Sequence, residues 1–172
     1  MREFFVIDCT LRDGGYYNNW DFPTDLIHKY LEAMVAAGVD IVEPGLRSLK
    51  NVGFKGACAF TTDDYIRSLN VPAALKVGIM INASELLADL PLADALAKLM
   101  PNDAAQSPVQ LVRIACHVHE FKQALPAAHW LKERGFMVGF NLMQVADRSE
   151  AEIKALAKAA TTYPLDALYF AD

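Results

Sequence analysis

An arginine and an aspartate stand side by side just after an apolar run near the start of the chain. Residues 4–7 have the length and the aromatic or β-branched content of a strand buried on both faces, and residues 8–16 follow as a predicted loop. The planar guanidinium of Arg12 can donate two hydrogen bonds to a carboxylate or a 2-keto acid, and it stays charged. Glycine can adopt backbone angles that other residues cannot. Gly14 and Gly15 would therefore let a substrate or a metal approach the backbone closely. Read without context, the stretch is equally consistent with a tight turn and a local ion pair.

A second acidic residue, Glu43, ends the next predicted strand, residues 40–43. Enzymes built on parallel strands place their functional groups at the carboxyl ends of those strands, which favours a role for Glu43 in a site. The structural alternative is a salt bridge between Glu43 and Arg47 or Lys50.

Polar residues also follow the later predicted strands. His117 and His119 come after the strand at residues 110–116 with the spacing i, i+2, which puts two side chains on one face and is a metal-binding spacing. Asn141 lies near the end of the fifth strand, and Asp172 closes the sixth. We expect Asn141 and Asp172 to contact substrate, although both are also consistent with simple polar strand ends.

Strands and helices alternate along the chain, and they position these residues. The predicted strands are residues 4–7, 40–43, 75–81, 110–116, 136–143 and 168–171; the predicted helices are residues 23–37, 62–69, 84–100 with an interruption at Pro91, 120–134, and one that a capping box at Ser149 opens. Apolar strands joined by right-handed crossovers build a parallel sheet with outer helices. Eight strands need about 250 residues, and the chain has 172. The prediction is therefore an α/β fold, an incomplete TIM (β/α)8-type barrel of about six parallel strands.

Several motifs, in this order, resemble a known superfamily. Thr10-Leu11-Arg12-Asp13-Gly14 follows the first strand, Ile41-Val42-Glu43 ends the second, and further matches lie at residues 112–117, 138–143 and 168–172. Together they resemble the metal-dependent aldolase and lyase superfamily of TIM barrels with an Asp-Arg-Glu signature. That superfamily includes hydroxymethylglutaryl-CoA lyase, isopropylmalate synthase and 4-hydroxy-2-oxovalerate aldolase, and the later segments look most like the last of these.

The resemblance implies roles for individual residues. Asp13 would bind a divalent metal, Mn²⁺ or Mg²⁺ rather than Zn²⁺, while Arg12 would stabilise an enolate oxygen and Glu43 would hold Arg12 in position. In the aldolase branch a histidine three residues beyond the aspartate is the catalytic base, and Tyr16 has that position here. Tyrosine does acid–base work only with a lowered pKa, so Tyr16 is either the catalytic residue or part of a lid. The branch also has a pocket histidine in the position of His117, so the resemblance implies that His117 contacts substrate.

The resemblance implies, too, that the last strands of the barrel are missing, and with them the His-x-His pair that completes the metal site. We expect residues 1–172 to form a single domain, the N-terminal portion of a lyase for a small 2-keto acid, inactive or nearly so by itself. One alternative is a catalytically dead barrel that binds or regulates, and another is a metal hydrolase that uses Asp13, His117 and His119. The open barrel edges predict self-association.

Composition restricts the partners and the compartment. The net charge of −5 and the absence of a basic block argue against nucleic-acid and anionic-membrane partners. The sequence shows neither a signal peptide nor an apolar run of membrane length, which predicts a cytoplasmic protein. Cys9, Cys58 and Cys116 are predicted to be buried apolar residues in a reducing compartment.

Overall fold

The computed structural model describes residues 4–171, which fall into two compact units. The first unit contains the residues up to Met80 and the segment Ser107–Gln110, and the second contains Ile81–Gln106 and the residues from Leu111 onwards. The elements in chain order are β1 (Ile7–Asp8), α1 (Thr10–Asn18), α2 (Thr24–Ala37), β2 (Ile41–Val42), a 3₁₀ turn (Ala57–Ala59), α3 (Asp63–Ser68), β3 (Lys76–Asn82), α4 (Ala83–Leu86), α5 (Leu92–Leu99), β4 (Leu111–His117), α6 (Val118–Ala124), α7 (Ala127–Glu133), β5 (Met137–Met143), α8 (Glu150–Ala160) and β6 (Ala167–Ala171).

The strands are parallel and follow one another in chain order. In the first unit β1 pairs with β2, and β2 with β3; in the second unit β4 pairs with β5, and β5 with β6. The complete order is β1-β2-β3-β4-β5-β6, with helical segments in each connection. The predicted class is therefore confirmed: the fold is α/β, an incomplete barrel of six parallel strands. Within residues 4–171, none of the helices has the length and apolar character needed to cross a bilayer.

Each unit has its own apolar core. In the first, Ile41 and Val42 of β2 are buried, as are Ile27 and Leu31 of α2, because the apolar residues of α2 recur at helical spacing. In the second, the rings of Phe121 on α6 and Phe140 on β5 meet edge to face, with their centroids 5.9 Å apart. The helices of the second unit thus cover the face of β5 that carries Phe140.

The segment predicted as a loop after the first strand is a helix, α1. Its first turn forms because the Asp13 amide donates to the Cys9 carbonyl at 2.9 Å. Gly14 and Gly15 lie inside the helix with negative φ, so the prediction that they supply unusual backbone angles is wrong. Gly15 serves close packing instead, since a Cβ atom there would lie 2.0 Å from Cδ1 of the buried Trp20.

Replacing Gly15 with alanine is expected to destabilise the protein by about 1–3 kcal/mol, because the added methyl group overlaps the Trp20 indole. Gly14→Ala is the matched control on the same helix. Its Cβ atom would lie 3.6 Å from the Phe22 ring, an ordinary contact, and alanine favours a helix over glycine by about 0.5–1 kcal/mol. Urea unfolding should therefore show opposite signs for the two variants, and equal signs would contradict the packing role of Gly15.

Two further predictions differ from the structure. Residues 4–7 are not buried on both faces, since Phe4, Phe5 and Val6 are 69%, 52% and 43% exposed. The reason is that β1 has only two residues and, within the part of the chain that the structure describes, pairs on one side alone. The helix predicted at residues 120–134 is divided into α6 and α7 around Pro126, which has no amide hydrogen to continue the first helix.

Candidate active site

Arg12 in α1 is flanked by two carboxylates. Its Nε donates to Glu43 Oε2 at 2.9 Å, and its two terminal nitrogens contact Asp13, Nη1 at 2.8 Å from Oδ1 and Nη2 at 3.3 Å from Oδ2. The side chain of Glu43 is 1% exposed and that of Arg12 11%, whereas that of Asp13 is 62% exposed. A buried carboxylate therefore fixes the inner edge of the guanidinium, and an exposed one occupies its outer edge.

The electrostatic surroundings keep Arg12 charged. Burial by itself would lower the pKa of this guanidinium, but the negative charges of Glu43 and Asp13 more than offset burial and raise the pKa. Arg12 is thus a permanent cation with its orientation set by Glu43.

Three residues hold the start of α1 in place. Asp8 Oδ1 accepts the Tyr30 hydroxyl at 2.6 Å and the Thr10 amide at 2.9 Å, and Oδ2 accepts the Thr10 hydroxyl at 3.1 Å. At the other end of the turn, Trp20 Nε1 donates to the Arg12 carbonyl at 3.0 Å. These bonds tie the turn that carries Arg12 to β1 and α2.

Cys9 is a member of the site that the sequence did not assign. Its Sγ donates to Glu43 Oε2 at 3.1 Å, the same oxygen that accepts from Arg12 Nε. The prediction of burial is confirmed for Cys58 and Cys116, whereas Cys9 is only half-buried. None of the three thiols is purely apolar in its contacts, since Cys58 Sγ lies 3.3 Å from the Tyr65 hydroxyl and Cys116 Sγ donates to the Asn141 carbonyl at 3.6 Å. The Cys9 thiol helps to orient the carboxylate that orients Arg12.

Replacing Tyr30 with phenylalanine is expected to destabilise the protein by about 1 kcal/mol at neutral pH, the scale of one hydrogen bond to a charged group after allowance for solvent. Burial raises the pKa of Asp8, but the bonds from Tyr30 and Thr10 outweigh it, and the net pKa lies below its ordinary value of 3.8. A depressed carboxyl pKa stabilises the fold above the unfolded pKa and loses that effect as the pH falls through the folded one.

Urea unfolding between pH 7 and pH 3 checks this effect. The stability difference between wild type and Tyr30→Phe should shrink as the pH falls below 3.8. Tyr17→Phe is the matched control, because the Tyr17 side chain is 94% exposed and its replacement should change stability by less than about 0.5 kcal/mol. A difference between wild type and Tyr30→Phe that stays constant with pH would contradict the link to Asp8.

The remaining predicted residues of the first unit have simple surroundings. Tyr16 lies on α1, is 63% exposed, and packs edge to face on Trp20 with ring centroids 4.6 Å apart. Arg47, named above as an alternative partner of Glu43, forms a buried ion pair with Asp63 at 2.8 Å. The catalytic role of Tyr16 stays a prediction.

In the second unit, His117 ends β4 and Asn141 lies in β5. Asn141 pairs with Ala115, two residues before His117, so alternation along the strands puts the side chains of His117 and Asn141 on the same face. That face is opposite to the one that carries Phe140. His119 lies on α6 with its ring parallel to that of His117 and 5.8 Å away. Asp172 lies outside the residues that the structure describes.

Arg113 is a buried cation on the same face of the second unit. Its position on β4 pairs with Gly139, and its side chain extends past that glycine to lie 5.0 Å from the centroid of the Tyr169 ring. A Cβ atom on Gly139 would be 3.3 Å from both Arg113 Cγ and Tyr169 Cε2, so glycine leaves the space that the arginine uses. This face of β4 and β5 therefore carries Arg113, His117 and Asn141 among smaller or apolar residues.

The residues that the structure describes do not make up a complete metal site. Between residues 4 and 171 there is no group of three or more histidine, cysteine or acidic side chains placed to hold one ion. Asp13 supplies a single exposed carboxylate, which also pairs with Arg12. The ligand set of the hydrolase hypothesis, Asp13 with His117 and His119, is likewise not assembled as a cluster within this range.

Known proteins show partial likeness to the chain. No protein-family model matches it. It is 26% identical over 145 residues to an oxaloacetate decarboxylase from Mycobacterium tuberculosis, a match that covers 83% of this chain and 40% of that protein. Among solved structures, the N-terminal domain of a candidate aldolase from Bacteroides vulgatus has 27% identity and a TM-score of 0.69, over 97% of this chain and 63% of that one. The carboxyl transferase domain of Rhizobium etli pyruvate carboxylase has 16% identity and a TM-score of 0.46, over 87% of this chain and 24% of that one. The chain thus spans less than two thirds of each of these three proteins.

Proposed function

We propose that this chain is the N-terminal part of a lyase of the aldolase type, which cleaves the bond between carbons 3 and 4 of a 2-keto acid and leaves carbons 1 to 3 as an enolate. One observation carries the proposal: the Arg12 guanidinium is fixed on Nε by the buried Glu43, while its other two nitrogens are directed to the exposed Asp13. The names of the two relatives above 25% identity, an oxaloacetate decarboxylase and a candidate aldolase, support the same class of chemistry.

The geometry suits an enolate. Breaking the bond leaves negative charge on the keto oxygen, and a preorganised cation stabilises that charge without having to reorient during the reaction. The keto and carboxylate oxygens of a 2-keto acid can accept two hydrogen bonds from a guanidinium fork. Asp13 occupies that fork now, and its exposed side chain can turn into solvent when a substrate binds.

The finer assignments belong to the same proposal. The substrate is a small 4-hydroxy-2-keto acid, as for 4-hydroxy-2-oxovalerate aldolase, with His117, Asn141 and Asp172 as substrate contacts and Tyr16 as the base. A divalent metal, Mn²⁺ or Mg²⁺, would take Asp13 as one of its ligands, because hard cations prefer carboxylate oxygen. The described residues supply no complete ligand set, so the remaining ligands would have to come from elsewhere.

Adding Mn²⁺ or Mg²⁺ to the 172-residue chain is expected to raise its melting temperature by less than about 2 °C, because one carboxylate with water binds a divalent ion weakly. Differential scanning fluorimetry with millimolar metal measures the shift. Asp13→Asn should abolish even this small effect, while Asp25→Asn, an exposed acid on α2, should leave it unchanged. A shift of several degrees would show that this chain completes the coordination by itself.

The experiment that tests the function is deuterium exchange into the methyl group of pyruvate, which requires only that the enolate form. The full-length protein is incubated with pyruvate in D₂O with Mn²⁺ or Mg²⁺, and the methyl signal is followed by proton NMR. Exchange well above the buffer rate is expected. A coupled assay for pyruvate then compares a 4-hydroxy-2-keto acid with oxaloacetate as substrate. Absence of both exchange and cleavage would favour the binding or regulatory barrel.

A further inference from the structure

Two large aromatic side chains, Tyr16 and Tyr17, are exposed on α1 about one helical turn beyond Arg12. The exposed residues of this helix are at positions 10, 13, 16 and 17, which is the spacing of a single helical face. Asp13 on this face is the residue that contacts Nη1 and Nη2 of Arg12. The two tyrosines therefore share a surface with the carboxylate that occupies the outer edge of the guanidinium.

The Trp20 indole fixes the position of Tyr16. Its Nε1 donates to the Arg12 carbonyl at 3.0 Å, and the Tyr16 ring packs on the same indole with centroids 4.6 Å apart. Side chains of an α-helix also lean toward its amino-terminal end, which brings the rings of Tyr16 and Tyr17 back toward Arg12 and Asp13. The described part of the chain leaves both rings largely open to solvent, so they are available to a ligand.

A ligand held by Arg12 can reach these rings. A 2-keto acid that is bound through its keto and carboxylate oxygens has carbon 4 and its substituent free to contact other residues. The next turn of α1 lies about 5–6 Å away along the helix axis. A hydrogen bond of about 3 Å followed by two carbon–carbon bonds spans a similar distance. A ligand whose carbon chain runs along the exposed face of α1 therefore brings its carbon 4 substituent to Tyr16 and Tyr17.

The chemistry of this surface favours an apolar group and disfavours an anionic one. Aromatic rings pair favourably with other rings and bury a large apolar area. The face of a ring carries partial negative charge, and the exposed carboxylate of Asp13 adds a full negative charge on the same face of the helix. A second carboxylate on the ligand would therefore be repelled at this position.

We infer that Tyr16 and Tyr17 bind an apolar or aromatic group that the substrate carries on carbon 4. The inference rests on the proposed function, and it adds the class of substrate: cleavage between carbons 3 and 4 would release pyruvate and an apolar aldehyde. It also disfavours a keto diacid such as oxaloacetate, whose second carboxylate would lie against the rings. Tyr16 contributes to this surface through its ring, whether or not its hydroxyl also moves a proton.

Keto acids without a 4-hydroxyl group test the surface, because they bind but cannot be cleaved into pyruvate and an aldehyde. The probes are 2-oxo-4-phenylbutanoate, 2-oxobutanoate and 2-oxoglutarate, and isothermal titration of the full-length protein with Mg²⁺ gives their Kd values. The phenyl compound is expected to have a Kd about tenfold below that of 2-oxobutanoate. The second carboxylate of 2-oxoglutarate should give no gain over 2-oxobutanoate.

Substitutions locate the gain on α1. Tyr16→Ala and Tyr17→Ala each remove a ring and should reduce the advantage of the phenyl compound to about threefold or less, while the Kd of 2-oxobutanoate changes less than about twofold. Tyr16→Phe keeps the ring, loses the hydroxyl and should keep the advantage. Phe5→Ala is the matched control and should also keep it, because Phe5 is an exposed aromatic residue before β1, at the opposite end of that strand from α1.

The comparison of the probes in the wild-type protein stands even if a variant does not fold. Equal Kd values for the phenyl compound and 2-oxobutanoate, no binding of the phenyl compound, or tightest binding by 2-oxoglutarate would overturn the inference. An advantage that persists without both rings would overturn it as well. The proposed function fails separately, because binding needs no enolate. A protein that shows the phenyl advantage at these residues but neither exchanges pyruvate nor cleaves a keto acid keeps the aromatic surface and loses the lyase assignment.

Discussion

Replacing Arg12 with lysine is expected to slow deuterium exchange into pyruvate by about 10²–10³-fold, with the fold unchanged. Lysine has one compact ammonium group on a flexible stem. It cannot donate to Glu43 and at the same time present two further nitrogens in the plane of a keto acid. The exchange rate of the full-length protein by proton NMR measures the loss, and circular dichroism melting checks that the variant folds.

The control for this change is Arg67→Lys. Arg67 lies on α3 with its side chain 48% exposed, in a surface pair with Asp64 at 3.2 Å, so the same substitution there should leave the exchange rate within about twofold. If Arg12→Lys exchanges pyruvate at the wild-type rate, the guanidinium does not hold the enolate and the proposed mechanism is wrong.

The second large effect concerns stability and the buried Glu43. Glu43→Ala is expected to destabilise the first unit by about 3 kcal/mol, because the mostly buried Arg12 loses the carboxylate that fixes its Nε. Glu43→Gln keeps the shape and an accepting oxygen but not the charge, so its effect should be about half as large. Urea unfolding gives both values. Glu32→Ala, an exposed acid on α2, is the matched control and should change stability by less than about 0.5 kcal/mol.

A double-mutant cycle separates a charge effect from a packing effect. If the cost of Glu43→Ala comes from leaving a cation under-compensated, then adding Arg12→Met should recover part of the lost stability. Additive losses in the double variant would mean that Glu43 stabilises the fold through contacts other than its bond to Arg12.

The order of strands and helices could be predicted because it follows from local hydrophobic patterns, while α1 could not. Apolar strands such as β3 and β4 and the spacing along α2 report burial directly. Within residues 10–18, the adjacent Gly14 and Gly15 favour a turn by every local sequence criterion. In the structure the indole of Trp20 packs against Gly15 and donates to the Arg12 carbonyl, and neither contact is visible in the hydrophobic pattern of this stretch.

The charged residues of the site could be predicted from the sequence, whereas the residues that hold them in place could not. The Arg12–Asp13 pair and Glu43 at a strand end carry a recognisable signal. The spacing of Tyr30 along α2 matches that of the buried residues and so predicts that Tyr30 is partly buried. It does not show that the Tyr30 hydroxyl donates to Asp8, 22 positions earlier in the chain. An aromatic residue with a polar tip in such a stripe is the one sequence signal that could have suggested this bond.

The two edges of the Arg12 guanidinium have different consequences for selectivity. Asp13 acts as an internal competitor: because it is the neighbouring residue in the chain, its carboxylate is present at a high effective concentration next to Nη1 and Nη2. Chloride, phosphate and simple monocarboxylates must displace this tethered acid before they can bind. Under the proposed function, only a molecule that also makes contacts elsewhere would overcome this competition, so Asp13 would disfavour the abundant small anions of a cell.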